Sequence, residues 1–480
     1  MAEVSSLSLA SSIDSLVQQF RTSQRKSIVP LENRKTTLTA RLKVLADVKS
    51  KLAALQTSAK NLALTGSNSN FLAYTVSSTS SSVVTATASS QAAVGAHTIL
   101  VTQLAKADTV LSSQVTSSAL DIITAEGAGT KTFRITVNGE NTDVNVTLSA
   151  GETNSTVLSN IATAINASEA GVSASVVSDT STTSRLVLTS KTTGSGNAIS
   201  LTDVSGTLLD SIGLTDAIVA ARTASTSTTA GFVYSSTSSL DANFRLDGID
   251  LVRESNSVSD ALSGVTFELK GVQNPSDTPV TLTVAVDKEK IRSRVEKFIK
   301  DFNDALTLLT SKTAVDPVLK VREILAGDSV FLNLRVSLRT IAGGTVTSVS
   351  AGNPKLLSEI GIAMASDGTL SMKSTAAFDD ALSSDITKVS DLFNTSNGIA
   401  TRLQTLLDGF VSTGGQIDTS TKGTNNQLAS LTSRIKSFDE RLNKRVDQFR
   451  QEFVKLQGVL AAVARQQQMI QSLTASGSFF

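Results

Sequence analysis

No cysteine occurs anywhere in the 480 residues, which excludes disulfide scaffolds, iron–sulfur clusters, thiolate zinc sites and cysteine nucleophiles together. There is a single histidine, His97, so a histidine-rich metal site is impossible and a Ser/His/Asp triad would have to use that one residue. Tryptophan is absent, tyrosine occurs twice, and aromatic residues make up 4% of the chain, poor material for stacking nucleobases or sugars. The longest unbroken apolar run, Val459–Ala464, is six residues, far short of a membrane span. Met1–Ala10 lacks the basic-then-apolar layout of a cleaved secretory signal. No phosphate-binding G-x-x-x-x-G-K-[ST] motif is present, and Gly127-Ala128-Gly129-Thr130-Lys131 has the wrong spacing and precedes a strand. Such a chain reads as soluble, with little room for most enzyme chemistries.

What is present is unevenly distributed. The length suggests about three domains. Residues 1–65 hold ten Lys/Arg against four Asp/Glu, residues 66–286 nine against eighteen, and residues 287–480 twenty-four against twenty. A Ser/Thr-rich, charge-poor, acidic centre lies between charge-dense basic ends, which implies separate domains.

The ends carry helical patterns. Residues 1–65 contain no glycine and one proline, Pro30. Ser11-Ser12-Ile13-Asp14 has the form of a capping box, followed by the stripe Ile13, Leu16, Val17 and Phe20. Pro30 ends that helix or opens the next. Leu31, Leu38, Leu45, Leu52 and Ala59 then repeat every seven residues, with Val48, Leu55 and Leu62 three places after the last three, an a/d seam that Gly66-Ser67-Asn68 stops. Near the other end, Leu428, Leu431, Ile435, Phe438, Leu442, Val446, Phe449, Phe453, Leu456, Leu460 and Val463 follow heptad spacing with one stutter at Leu442–Val446. A helix over 428–473 would be roughly 65–70 Å long, more than one globular core needs. These seams predict a coiled coil, between chains or between the two termini. The stripe Ile291, Val295, Phe298, Phe302, Ala305 and Leu309 is open to either reading, seam or ordinary core.

The middle reads as β-rich. Phe133, Ile135 and Val137, then Asn138-Gly139, then Val144, Val146 and Leu148 spell a hairpin. Thr153 or Ser155 caps a short helix with Val157, Leu158, Ile161, Ala162 and Ile165 on one face, and strands follow at 172–176 and 186–188. A second hairpin turns at Asp247-Gly248, and Val265–Leu269 and Val280–Val286 are expected to extend its sheet.

Functional residues are few. Asn243, Arg245, Asp247, Gly248 and Glu254 fall on a calcium-loop template, but Arg245 puts a cation where a ligand oxygen is needed, so the segment reads as a β-turn. His97 in an alternating segment reads as structural. The basic residues of 1–65 lie along a helix without interleaved aromatics, which reads as a solvated face. A carboxylate pair of the glycosidase kind stays open in principle, without aromatic sugar platforms to support it. Sequons at Asn145, Asn154, Asn166 and Asn394 matter only in a source that glycosylates them.

Several segments, in consistent order, resemble the bacterial flagellar filament cap family, hook-associated protein 2. They are Ser12–Gln19; Thr98-Ile99-Leu100-Val101-Thr102-Gln103-Leu104-Ala105; Leu246–Ile249 and Asn256–Asp260 leading into Gly264–Leu269; Ser358–Ile362; Asp367–Leu370; and Val389–Phe393. Residues 133–201 resemble the repeat module inserted in flagellins and hook proteins. Two departures stand out: Phe302-Asn303 where the family usually has Tyr-Asn, and the C-terminal Gln466-Gln467-Gln468 with a Ser-Gly-Ser-Phe-Phe tail.

The resemblance implies a secreted, extracellular, non-enzymatic assembly factor at the flagellum tip, without catalytic, metal or cofactor sites. It implies a ring of about five copies that retains flagellin and promotes its insertion and folding, with adhesion as a further role. Implied partners are flagellin and the filament end, the flagellar type III export apparatus and an export chaperone, with no nucleic acid and no membrane insertion. A cysteine-free chain suits unfolded export. A flagellin-like structural subunit or a surface adhesin is the alternative.

The expected architecture is α+β multidomain: long terminal coiled-coil helices packed together as a leg, with an inserted β-rich head of two small domains. Expected boundaries are 1–65 for the N-terminal leg helices, 66–125 plus 220–286 for a β-rich head domain, and 126–219 for the inserted module. Residues 287–425 would form a helical bundle region and 426–480 the C-terminal coiled coil. Residues expected at coiled-coil, filament or subunit contacts are Leu16, Phe20, Leu45, Leu52, Leu55, Leu431, Ile435, Phe438, Leu442, Val446, Phe449, Phe453, Leu456 and Leu460.

Overall fold

The structure, a computed structural model, describes residues 2–316 and 321–476, with side chains from Asp14 to Asp316 and from Val321 to Ser472. The chain forms an α+β fold of two units, Met1–Phe71 with Glu289–Phe480, and Leu72–Lys288. The side chain of Ile13, first in the N-terminal stripe, and the side chains of the Ser-Gly-Ser-Phe-Phe tail lie outside the described residues.

The first unit is helical. Its main elements are α1 (Ala2–Arg25), α2 (Val29–Ala63), α3 (Lys288–Thr313, whose first residue belongs to the other unit), α4 (Ile399–Val411) and α5 (Gln416–Ser476). The backbone is already helical at Ala2, so Ser11–Asp14 is helix interior and not a capping box; the motif signals a start only where the preceding backbone is free to be extended. Pro30 opens α2 within its first turn, where its missing N–H costs no intrahelical bond. The seven-residue repeat of α2 is the unit's core, with Leu38, Leu45, Val48, Leu52, Leu55, Ala59 and Leu62 buried. α5 begins twelve residues before the predicted start at 428, and its 61 residues make a rod of about 90 Å.

α3 turns its whole predicted stripe inward. Phe298 packs edge-on against Phe393, with centroids 5.9 Å apart, and Phe393 contacts Phe71 at 5.5 Å. The stripe is therefore intramolecular core. Phe302 is wholly buried, a place where a tyrosine hydroxyl would need a partner. Asn303 beside it clamps the strand Leu370–Met372, donating to Leu370 O and accepting from Leu370 N, both at 2.7 Å.

The second unit contains two cores. In one, the antiparallel strands Tyr74–Ser78, Val280–Val286, Gly95–Gln103, Ala242–Leu246 and Ile249–Arg253 form a sheet in that spatial order. A three-stranded sheet of Ser257–Leu262, Val265–Leu269 and Val84–Ala88 shares its core. Val265–Leu269 thus does not extend the first sheet as expected, although Val280–Val286 does. Alternation tells which face of a strand is buried, not which strand it pairs with.

The other core is built around the hairpin Gly129–Val137 and Glu140–Leu148, whose turn places Asn138 at φ 54° and Gly139 at φ 74°, the positive pair that a type I′ turn requires. The helix Asn154–Ala167, capped by Thr153, buries Val157, Leu158, Ile161, Ala162 and Ile165. This core is larger than the expected 126–219: it runs from Val110 to Phe232, because Ala107–Leu111, Val115–Thr116 and Gly231–Phe232 belong to the sheet centred on Thr183–Thr193. Strands of two residues leave almost no periodic signal to read. Inside it Asp108, fully buried, accepts from both terminal nitrogens of Arg222, at 2.8 and 3.0 Å, and from Ile199 N at 2.8 Å.

Where the chain passes between the two cores, side chains substitute for missing sheet bonds. Asn256 holds both backbone groups of Ala105, at 2.7 and 2.9 Å, and Gln103 Nε2 donates to Ser238 O and Asp241 O. Gly194, at φ +98°, lies so close to Glu254 that an added Cβ would stand 2.3 Å from Glu254 Cβ. The Gln-Leu-Ala and Asn256 segments therefore have an internal, architectural job.

Candidate assembly surface

α1 and α2 both run antiparallel to α5. Asp14 pairs with Arg450 at 3.0 Å, Arg21 donates to Asn443 at 2.9 Å, and Lys49 pairs with Asp418 at 2.5 Å, so rising numbers on one side meet falling numbers on the other. The break between α1 and α2 falls just before Pro30, with Ile28 fully buried at the turn. The Asp418 carboxyl is held below the usual carboxylate range first by Lys49 and then by the Gly414 N–H. That of Asp304 is held down first by Lys300 and then by Lys51 of α2.

Along this pairing the predicted residues separate into three groups. Leu45, Leu52, Leu55 and Leu431 are buried within the helical unit and occupied by intramolecular packing. Leu442 and Val446 bury against Val17, flanked by the half-buried Phe20, Phe438 and Phe449; Phe20 and Phe449 stack with centroids 5.0 Å apart, and Phe449 touches Phe453 at 5.2 Å. Ile435 and Phe453 are half-buried. Leu16 faces solvent while its neighbour Val17 takes the inward place, a choice the stripe alone left open.

The third group is Leu456 and Leu460, 51% and 56% exposed, joined by Val459 and Val463. At about 100° per residue Leu456, Leu460 and Val463 lie within about 60° of Leu442 and Phe449, while Val459 sits at the edge of the stripe, about 80–100° from them. One seam thus runs down α5, buried at Leu442 and Val446 and open to water beyond Phe453. Val459, not among the expected contact residues, lies beside Leu456 and Val463 on the helical wheel.

His97 Nδ1 lies 2.7 Å from Asp247 Oδ2, and Asp247 Oδ1 accepts from the Thr98 N–H at 2.7 Å. The carboxylate is saturated by tying the Asp247-Gly248 turn to its neighbouring strand. Among the described residues no group of three or more His, Cys, Asp or Glu could hold a metal ion, and no helix is long and apolar enough to cross a membrane. What the surface beyond Phe453 can do is pack against another helix.

Comparison with known proteins gives family matches over three segments. Residues 11–108 match the flagellar hook-associated protein 2 N-terminus, residues 239–465 its C-terminus, and residues 132–192 the flagellin hook IN motif. The B-type flagellar hook-associated protein 2 of Pseudomonas aeruginosa is 31% identical over 426 residues, 85% of each chain. The flagellar hook-associated protein 2 of Escherichia coli K12 is 29% identical over 479 residues, 96% of each. The crystal structure of the D1–D2–D3 domains of the Escherichia coli flagellar cap protein superposes with a TM-score of 0.63 at 27% identity, covering 80% of this chain and 99% of that one.

Proposed function

Because this chain belongs to the flagellar hook-associated protein 2 family and is a flagellar cap protein, we propose that it closes the distal end of the filament as an oligomeric ring. In this reading the ring retains exported flagellin and promotes its insertion, folding and polymerisation, and the chain acts outside the cell after export by the type III apparatus. The single observation that carries the reading is the seam on α5, whose buried stretch continues into the exposed Leu456, Val459, Leu460 and Val463. A rod that ends in an open seam lowers its free energy by packing on a neighbour, by about 1.5–3 kcal/mol for each large apolar side chain it buries. A ring needs a head-to-tail contact whose rotation closes; we assign about five copies, together with contacts to flagellin and an export chaperone.

Electron microscopy of the purified protein, alone and with sheared filaments, tests this. The expected particles are small closed rings and plugs on filament ends. Long self-assembled fibres would instead identify a flagellin-like subunit.

A further inference from the structure

Excess positive charge in the helical unit collects along the rod: residues 1–43 hold seven Lys/Arg against three Asp/Glu, and residues 422–476 nine against four. Deeper in the unit three cations of α2 have matched acids, Arg41 with Asp328 at 2.6 Å, Lys49 with Asp418 at 2.5 Å and Lys51 with Asp304 at 2.9 Å. Near the start of α2 the first-turn acid, Glu32, is taken by Arg25 of α1 at 2.9 Å. There a groove of about 400 Å³ opens between α2 and α5, floored by Leu31, Leu38 and Leu431 and lined by Arg34, Arg434 and Gln427, with no acidic residue in its wall. Both arginines are exposed, and among the described residues neither pairs with a carboxylate.

We propose that this groove is a docking slot for an acidic amphipathic helix of a partner protein. The partner's carboxylates would meet Arg34 and Arg434 from either side, and a small apolar side chain between them would rest on the leucine floor. Charge complementarity selects the sign of the partner: two guanidinium groups on one groove form paired, charge-assisted hydrogen bonds with carboxylates. Shape selects a helix, since a groove between two antiparallel helices is the seat that a third helix fills by ridges-into-grooves packing. The wall has no aromatic side chain on which a base could stack, which disfavours single-stranded nucleic acid. The slot is distinct from the exposed seam beyond Phe453, and does not depend on ring formation.

The test uses the full chain and a synthetic 20-residue helical peptide with leucine on one stripe and glutamate flanking it. A matched peptide carrying lysine in place of glutamate and a duplex DNA fragment serve as comparisons. The glutamate peptide is expected to bind, and to bind at least tenfold more weakly both to Arg34→Glu/Arg434→Glu and when salt rises from about 0.05 to 0.5 M. The lysine peptide is expected not to bind. Arg34→Gln/Arg434→Gln, which removes the charge without reversing it, should fall between, with parental helicity in both variants because the two side chains are exposed. The proposal is overturned if the glutamate peptide fails to bind, if the reversed variant binds it equally, or if DNA binds more tightly and displaces it.

Discussion

Replacing Leu456 and Leu460 together with aspartate is expected to leave the isolated protein's fold and thermal stability unchanged while abolishing filament capping. Both side chains are more than half exposed, and exposed substitutions away from caps and special backbone usually change stability by no more than about 0.5 kcal/mol each. If the two leucines are covered in the assembly, their loss removes about 4 kcal/mol per contact at roughly 2 kcal/mol each, close to a thousandfold in affinity. Burying a carboxylate in their place adds a further cost. A control pair, Gln451→Asp and Ala462→Asp, lies on the opposite face of α5 and introduces the same charge, so it should retain capping. Motility in a strain lacking the native cap, with melting curves of the purified variants, separates the outcomes. Loss of capping in the control as well would mean that added charge, and not the seam, is responsible.

The second large effect is on stability, and it falls on the inserted core of the other unit. Asp108→Ala leaves the Arg222 guanidinium, which stacks 4.0 Å from the centre of Phe232, without its counter-ion, and orphans the Ile199 N–H. Breaking one side of a buried pair in this way costs about 3–5 kcal/mol, enough to lower the melting temperature of that core by about 10 °C or more. Removing both partners in Asp108→Ala/Arg222→Ala should cost less than the sum of the single changes, because no uncompensated charge is then left inside. Urea titration followed by calorimetry of the three variants measures the coupling. Additive losses would show that the pair is not energetically linked.

What could be read from the sequence follows the reach of each signal. The heptad of Leu38, Leu45 and Leu52 and the hairpin at Asn138-Gly139 are local, with a period or a turn chemistry that admits few alternatives, and both appear where expected. The Asp108–Arg222 pair spans 114 residues and carries no periodicity, so nothing along the chain connects them. Ser11–Asp14 misleads because a capping box is defined by what precedes it, and here the preceding backbone is helix. The inserted core extends beyond 126–219 because the strands Val115–Thr116 and Gly231–Phe232, too short to alternate, belong to it.

For the assembly surface, the sequence showed one continuous seam from Leu428 to Val463 but not where its partner helix stops covering it. That depends on Val17 and Phe20 reaching Leu442, Val446 and Phe449, a pairing fixed by the antiparallel register of α1 on α5. Only the three-dimensional arrangement distinguishes Leu442, 3% exposed, from Leu456 on the same stripe.

In the proposed function, neighbouring molecules at the filament end complete the outer stretch of this seam. Amide hydrogen exchange of the protein free and bound to filament ends measures it directly. Exchange at residues 453–472 is expected to slow at least tenfold on binding, while residues 441–449, already paired within the chain, change little. Capped filaments in which 453–472 exchange as fast as in the free protein would contradict the claim.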